Sequence, residues 1–192
     1  MITLMGWMFA LTVSVCAIVF AAALNEPGVH MGLCALIAVA FIAMAALENN
    51  RLRASGVSKS AIASSTARYC GLVWSWGALA IAVTYGALLE ARWPEWWQFF
   101  AGFGAAAIAS LWFSNLLARD AAAGKVDDAM MKMGRTLTIV QIVGVIAALV
   151  TMFIEGKFPR AVTYADWAGC NVFVFGGLAI VAISLNALRT SR

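Results

Sequence analysis

Polar side chains that could do chemistry are few in this chain and stand alone among apolar residues. Three amides, Gln141, Asn171 and Asn115, interrupt stretches that are otherwise almost wholly apolar. An amide in hydrocarbon needs a protein hydrogen-bond partner, because no water is present to take that place. We therefore interpret Gln141, Asn171 and Asn115 either as contacts between helices or as the lining of a path for a polar solute.

Two carboxylates occupy matching positions in two similar segments. Glu90 is followed by a small, a basic and an aromatic residue and then proline, and the same order follows Glu155. If the two segments lie on one side of a membrane, Glu90 and Glu155 could form an outer acidic pair that attracts cations. Solvated loop carboxylates beside Arg92 and Lys157 are the simpler alternative.

Metal and redox chemistry find little support in the residue types. His30 is the only histidine, which excludes a haem held by two histidines of this chain and a zinc site with several histidine ligands. Because it follows Pro27 and Gly28, we expect His30 to be solvated near the start of a helix. The four cysteines, Cys16, Cys34, Cys70 and Cys170, show no CxxC spacing. We predict no cofactor and no metal site, and we favour a protein without catalytic activity.

The elements that would position these side chains are membrane helices. The chain is 64% hydrophobic and 11% charged, with a mean hydropathy of +0.90, whereas soluble domains carry about 25% charged residues. Six stretches of about 20 residues contain no Lys, Arg, Asp or Glu. The sequence predicts an all-α polytopic membrane bundle, one domain over residues 1–192, with six transmembrane helices as three hairpins. The predicted spans are about 2–24, 29–47, 69–89, 96–118, 136–154 and 167–188.

The distribution of basic residues predicts the orientation of these spans. With six spans, ten of the 13 lysines and arginines fall on the side of the two termini, and Arg92, Lys157 and Arg160 fall on the other. Basic residues are retained on the cytoplasmic side of a membrane. We therefore expect both termini in the cytoplasm of a bacterium whose inner (plasma) membrane holds the chain. The net charge of +4 is an orientation signal, and we predict no nucleic-acid partner.

The matching acidic segments belong to a longer similarity between residues 68–119 and 135–189. With five residues inserted in the later loop, four further positions align, namely Trp97 with Trp167, Phe103 with Phe173, Ser114 with Ser184 and Arg119 with Arg189. This pattern favours a tandem repeat of one helical hairpin. Convergent loop chemistry is the alternative, because proline starts helices well and charged residues stop them at a membrane surface.

Small residues on the fourth span predict a surface for helix packing. Gly102, Ala106 and Ser110 follow one another at four-residue spacing and would share one helix face. Helices in lipid associate mainly through close packing, which small side chains permit. From its many small residues, we expect the fourth span to be the central helix of the bundle.

Two functions remain open at this point. Charge-free spans, short loops and no cofactor ligands favour a non-catalytic accessory or assembly subunit of a larger membrane complex. The repeated hairpin, together with Gln141 and Asn171, favours a small transporter or channel for a solute or ion. The expected partners are the lipid bilayer and either another membrane protein or further copies of this chain.

Overall fold

Six α-helices account for nearly all of the described chain. The computed structural model describes residues 4–88, 93–123, 125, 128–154 and 164–190. The helices are α1 Leu4–Ala23, α2 Pro27–Ala54, α3 Lys59–Leu88, α4 Trp93–Ala122, α5 Asp128–Ile154 and α6 Tyr164–Thr190. The predicted all-α architecture is therefore confirmed. Within the described residues, five helices are long and apolar enough to cross a membrane, over Met5–Ala23, Pro27–Ala54, Phe100–Ala122, Asp128–Thr151 and Trp167–Arg189.

These five helices are compatible with an integral membrane protein. The remaining helix, α3, begins with a polar stretch, and its crossing of the membrane stays a prediction. Several helices extend well beyond the charge-free spans, since α2 continues to Ala54 and α3 begins at Lys59. The backbone hydrogen bonds of a helix do not require an apolar surrounding, so a helix can continue through the headgroup region.

Two short connections have clear local causes. Between α1 and α2, Asn25 takes φ 56, a left-handed conformation that asparagine tolerates, and Pro27 then starts α2 with its φ already set. At the end of α2, the N–H of Gly56 donates to Arg53 and that of Val57 donates to Leu52. Gly56 has φ +66, so these bonds form a Schellman C-cap that requires glycine.

The central helix is α3, and our expectation of α4 in that place is wrong. α3 contacts α1, α2, α4 and α6, and its Val73, Trp76 and Ala80 are completely buried. Glycines let α4 come close to it, because a Cβ on Gly77 would overlap the ring of Phe103 and one on Gly71 would lie 2.7 Å from Leu111. The small residues that matter most for this pair are therefore on α3 rather than on α4.

A polar layer joins α2, α3 and α4 at the end of the bundle where α3 begins. The Ser64 hydroxyl donates to the Ser114 carbonyl at 2.9 Å, and the Ser114 hydroxyl donates back to the Ser64 carbonyl at 2.8 Å. The Asn49 amide donates to the Thr66 hydroxyl at 3.3 Å. All four side chains are buried, so the Ser64 and Thr66 hydroxyls at the polar start of α3 are bonded inside the protein, whereas Ser65 Oγ has no hydrogen-bond partner among the described residues.

Candidate functional site

A cleft of about 870 Å³ lies between α4 and α5 and is also lined by α3 and α6. We call it the α4–α5 cleft. Its volume falls within the range of about 300–1,000 Å³ that is usual for small-molecule sites. The candidate site residues are therefore placed relative to it.

The cleft lies beside α5, which packs on α6 and, among the described residues, approaches α4 at Gly134. A Cβ on Gly177 of α6 would lie 2.9 Å from Val145 of α5, and one on Gly134 of α5 would lie 3.0 Å from the Phe113 ring of α4. About three turns further along α5, a Cβ on Gly144 would meet nothing within 4 Å. The gap that α5 leaves there is the α4–α5 cleft.

Gln141 lies in this cleft and bonds across to α6. Its Nε2 donates to the Ser184 hydroxyl at 3.3 Å, and the Ser184 hydroxyl lies 3.7 Å from the Cys70 sulfur of α3. All three side chains line the cleft, and Ser184 and Cys70 are buried. We call Cys70, Gln141 and Ser184 the cleft polar triad. Their side chains provide hydrogen-bonding groups in a cleft wall that is otherwise largely apolar.

Asn171 is not part of this site. It is 1% exposed, and its Nδ2 donates to the Trp167 carbonyl of its own helix at 3.2 Å. Thirteen residues separate it from Ser184, which at about 1.5 Å per residue is roughly 20 Å along α6. The structure therefore does not bring Asn171 and Gln141 together. Asn115 is exposed on α4 and does not line the cleft.

The other predicted positions are placed as follows. Glu90 and Glu155 lie outside the described residues. Gly102 is exposed, and a Cβ on it would meet nothing within 4 Å. Ala106 and Ser110 are half-buried and line the cleft. The α4 face that packs on α3 instead carries larger side chains, and use of the Gly102, Ala106 and Ser110 face for packing against another helix stays a prediction.

Sequence reasoning missed a buried group at the other end of the bundle, around His30. We expected this histidine to be solvated, but it is 0% exposed. Its Nδ1 lies 3.8 Å from the Cys34 sulfur, and its ring centroid lies 5.5 Å from that of Trp167. Its Nε2 is buried and has no hydrogen-bond partner among the described residues. The signal that could have revealed this was its four-residue spacing to Cys34, which continues through Ala38 as a buried face of α2.

Tyr164 completes the same group from the start of α6. Its ring stacks on Trp167 with 5.6 Å between ring centroids. Burial raises the pKa of the phenol above its usual value, and the nearby Glu26 carboxylate raises it further. Tyr164 therefore stays protonated at neutral pH. Its hydroxyl, like His30 Nε2, is buried and finds no hydrogen-bond partner in the part of the chain that the structure describes.

No protein-family model matches this chain, and neither a curated protein nor a solved structure shows significant similarity to it. A function for the chain is therefore inferred from its own residues. Within the described part of the chain, no three His, Cys, Asp or Glu side chains converge as metal ligands would. The α4–α5 cleft, the cleft polar triad and the surface of α4 are thus the features on which a function can be based.

Proposed function

We propose that this chain is a non-catalytic accessory or assembly subunit of a larger membrane complex, and that α4 carries its docking surface. The observation that carries this proposal is the distribution of side-chain size around α4. Phe103, Phe113 and Leu117 point into the bundle and are buried. Gly102, Ala105 and Ala109 are exposed on the outside of the same helix.

This distribution leaves a surface that another helix can approach closely. Small residues on a membrane helix allow backbones to come near each other, and dispersion and weak polar contacts then hold the pair together. Ile108 and Trp112 flank the small residues and are 72% and 60% exposed. They would pack around a partner helix, so the surface has a groove of small residues with large side chains beside it.

The proposed location is a bacterial inner membrane with both termini in the cytoplasm. Arg51 and Arg53 lie in the last turn of α2, Arg119 in that of α4 and Arg189 in that of α6. A cation at a helix C-terminus is favourable because it opposes the negative end of the helix dipole. These arginines support one cytoplasmic side for the C-termini of the even-numbered helices.

The test of docking is recovery of partner proteins from the native membrane. Gly102→Leu and Ala105→Leu fill the outward groove without touching the α3 contact, so co-purifying chains should be reduced about tenfold or more, as expected for a loss of about 1.4 kcal/mol. Gly32→Leu is the matched control, because Gly32 of α2 is also an exposed helical glycine with nothing within 4 Å. Equal recovery in all variants would contradict docking through α4, as would a homogeneous monomer from the wild-type membrane.

A transporter is the second candidate, and the cleft polar triad is the observation that favours it. A hydrogen-bonding surface inside an 870 Å³ cleft could receive a polar solute. Such a path would pass Gln141, but not Asn171, which is buried and does not line the cleft. In liposomes, Gln141→Leu would then abolish flux while Asn171→Leu would preserve it, and an unchanged flux through Gln141→Leu would remove this candidate.

A further inference from the structure

The α4–α5 cleft carries its charges at one end only. Lys59 starts α3, and Lys132 and Arg135 lie on the first turns of α5; all three line the cleft and are exposed. Asp128 is the one carboxylate among the described residues that line it. None of the three cations forms an ion pair with a described carboxylate. Among the described residues, this end of the cleft therefore offers three cationic groups against one acidic group.

Beyond this charged end, the lining of the cleft is mostly apolar and is interrupted by the Thr138 hydroxyl and the cleft polar triad. Arg135 is the last charged residue before the apolar run of α5, and Val140, Val145 and Ala148 follow it along the lining. From Arg135 to Ala148 the distance along the helix is about 20 Å at roughly 1.5 Å per residue. Trp74 of α3 and Phe173 of α6 also line the cleft. Its shape therefore combines a cationic end with an apolar slot that is longer than half of the roughly 30 Å hydrocarbon core.

We propose that the α4–α5 cleft binds one anionic phospholipid from the leaflet at the Lys59 end of the bundle. The phosphate of the headgroup contacts Lys59, Lys132 and Arg135, and an acyl chain lies along the apolar slot. Anionic headgroups are attracted to basic residues at a membrane surface, and the apolar slot begins at the depth where the chains of that lipid begin. The polar and apolar parts of the ligand thus meet matching parts of the cleft.

The contact between Gly134 and Phe113 favours a lipid over a helix of another protein. It joins α4 and α5 within the cleft, close to the charged end. A helix is about 10–12 Å wide with its side chains and could not run through the cleft without separating this contact. An acyl chain is thinner and flexible, and it can pass beside the Phe113 ring. Ala109 of the docking surface also lines the cleft, but Gly102 and Ala105, which the docking test replaces, do not, so the two proposals are tested separately.

The test is native mass spectrometry of the full chain in mild detergent, with phosphatidylglycerol and phosphatidylethanolamine of identical acyl chains added in turn. We expect one tightly retained phosphatidylglycerol and weaker retention of phosphatidylethanolamine. The triple variant Lys59→Gln, Lys132→Gln and Arg135→Gln should weaken phosphatidylglycerol binding about tenfold or more, given the attraction that each basic residue adds.

A matched control removes three positive charges at the same end of the bundle but outside the cleft. These are Arg51→Gln, Arg53→Gln and Arg119→Gln, none of which lines the cleft, and they should change the affinity less than about twofold, as expected for changes outside a site. A second variant, Gly144→Phe, fills the slot without changing charge and should also weaken binding.

Three results would overturn the proposal. Equal losses in the two triple variants would show that only surface charge attracts the lipid. Equal retention of the two lipids by the wild-type chain would show that the cleft has no preference for an anion. Gly144→Phe could instead retain phosphatidylglycerol and lose a co-purifying protein, and the cleft would then be a site for a partner helix.

Discussion

Gln141 is the side chain through which α5 hydrogen-bonds to α6 inside the cleft. Its Nε2 donates to Ser184, which itself lies beside Cys70 of α3. The sequence predicts that an amide in this place needs a hydrogen-bond partner. It does not predict which residue that partner is. That identity depends on the vertical register between α5 and α6, which is determined by packing at Gly177 rather than by any local pattern.

We predict that Gln141→Leu destabilises the chain by about 1 kcal/mol or less, the usual size of a hydrogen bond between membrane helices. The measurement is the free energy of unfolding in one detergent. Thr138→Val is the control, because the Thr138 hydroxyl also lies in the cleft but bonds to Gly134 of its own helix at 2.9 Å. A larger loss from Thr138→Val than from Gln141→Leu would contradict the interhelical role of the amide.

At the scale of helices, the contact between α3 and α4 depends on glycine. A Cβ on Gly77 would overlap Phe103, and that ring cannot move easily. It packs edge to face against Trp74 at 4.8 Å and against Phe173 at 5.5 Å. At this level of the bundle, the approach of α4 to α3 therefore depends on one small residue and three aromatic rings.

We predict that Gly77→Ala destabilises the chain by about 1–3 kcal/mol, the usual cost of forcing extra volume into a packed core. Gly104→Ala on α4 is the matched control, since a Cβ there would meet nothing within 4 Å and both substitutions gain the same helix propensity. The free energy of unfolding should be lower for Gly77→Ala than for Gly104→Ala. If Gly77→Ala were as stable as Gly104→Ala, the close contact between α3 and α4 would be refuted.

The sequence predicted where the helices lie along the chain, but not which helices pack against one another. Charges are excluded from hydrocarbon, so each charge-free stretch located one helix, although α3 begins ten residues before its predicted span. Which helix lies at the centre depends on the fit of side chains between helices. The many small residues of α4 pointed to that helix, whereas Gly71 and Gly77 of α3 receive its large side chains. His30 was misplaced for the same reason, because its burial against Trp167 is a contact between helices.

The predicted hairpin repeat can be compared with the contacts between the two helix pairs α3–α4 and α5–α6. Phe103 and Phe173, which align in the repeat, lie 5.5 Å apart. Ser114 and Ser184, which also align, bond back to the first helix of their own pair, at Ser64 and Gln141 respectively. Ser64 and Gln141 do not align with each other in the repeat, so the two bonds are not equivalent and the repeat stays a prediction.

For the whole molecule, we predict six crossings with both termini on the cytoplasmic side. The measurement uses protease sites inserted into the full chain after Gly56, after Ala91 and at the C-terminus, with digestion of intact spheroplasts and of inverted vesicles. The site after Ala91 should be cut only in spheroplasts, and the other two only in inverted vesicles. We expect this cleavage pattern because the opposite orientation would require ten of the 13 basic residues to be carried across the membrane.

The same experiment decides whether α3 crosses the membrane. Its first turns are polar, but Ser64 and Thr66 are bonded within the protein, so they need not meet lipid. From Tyr69 onward, the helix carries no charged residue up to Glu90, a length of about 30 Å at roughly 1.5 Å per residue. If α3 failed to cross, the sites after Gly56 and Ala91 would be cut from the same side, and the two termini would face opposite compartments. Cleavage from opposite sides would instead establish α3 as a span held at the centre of the bundle.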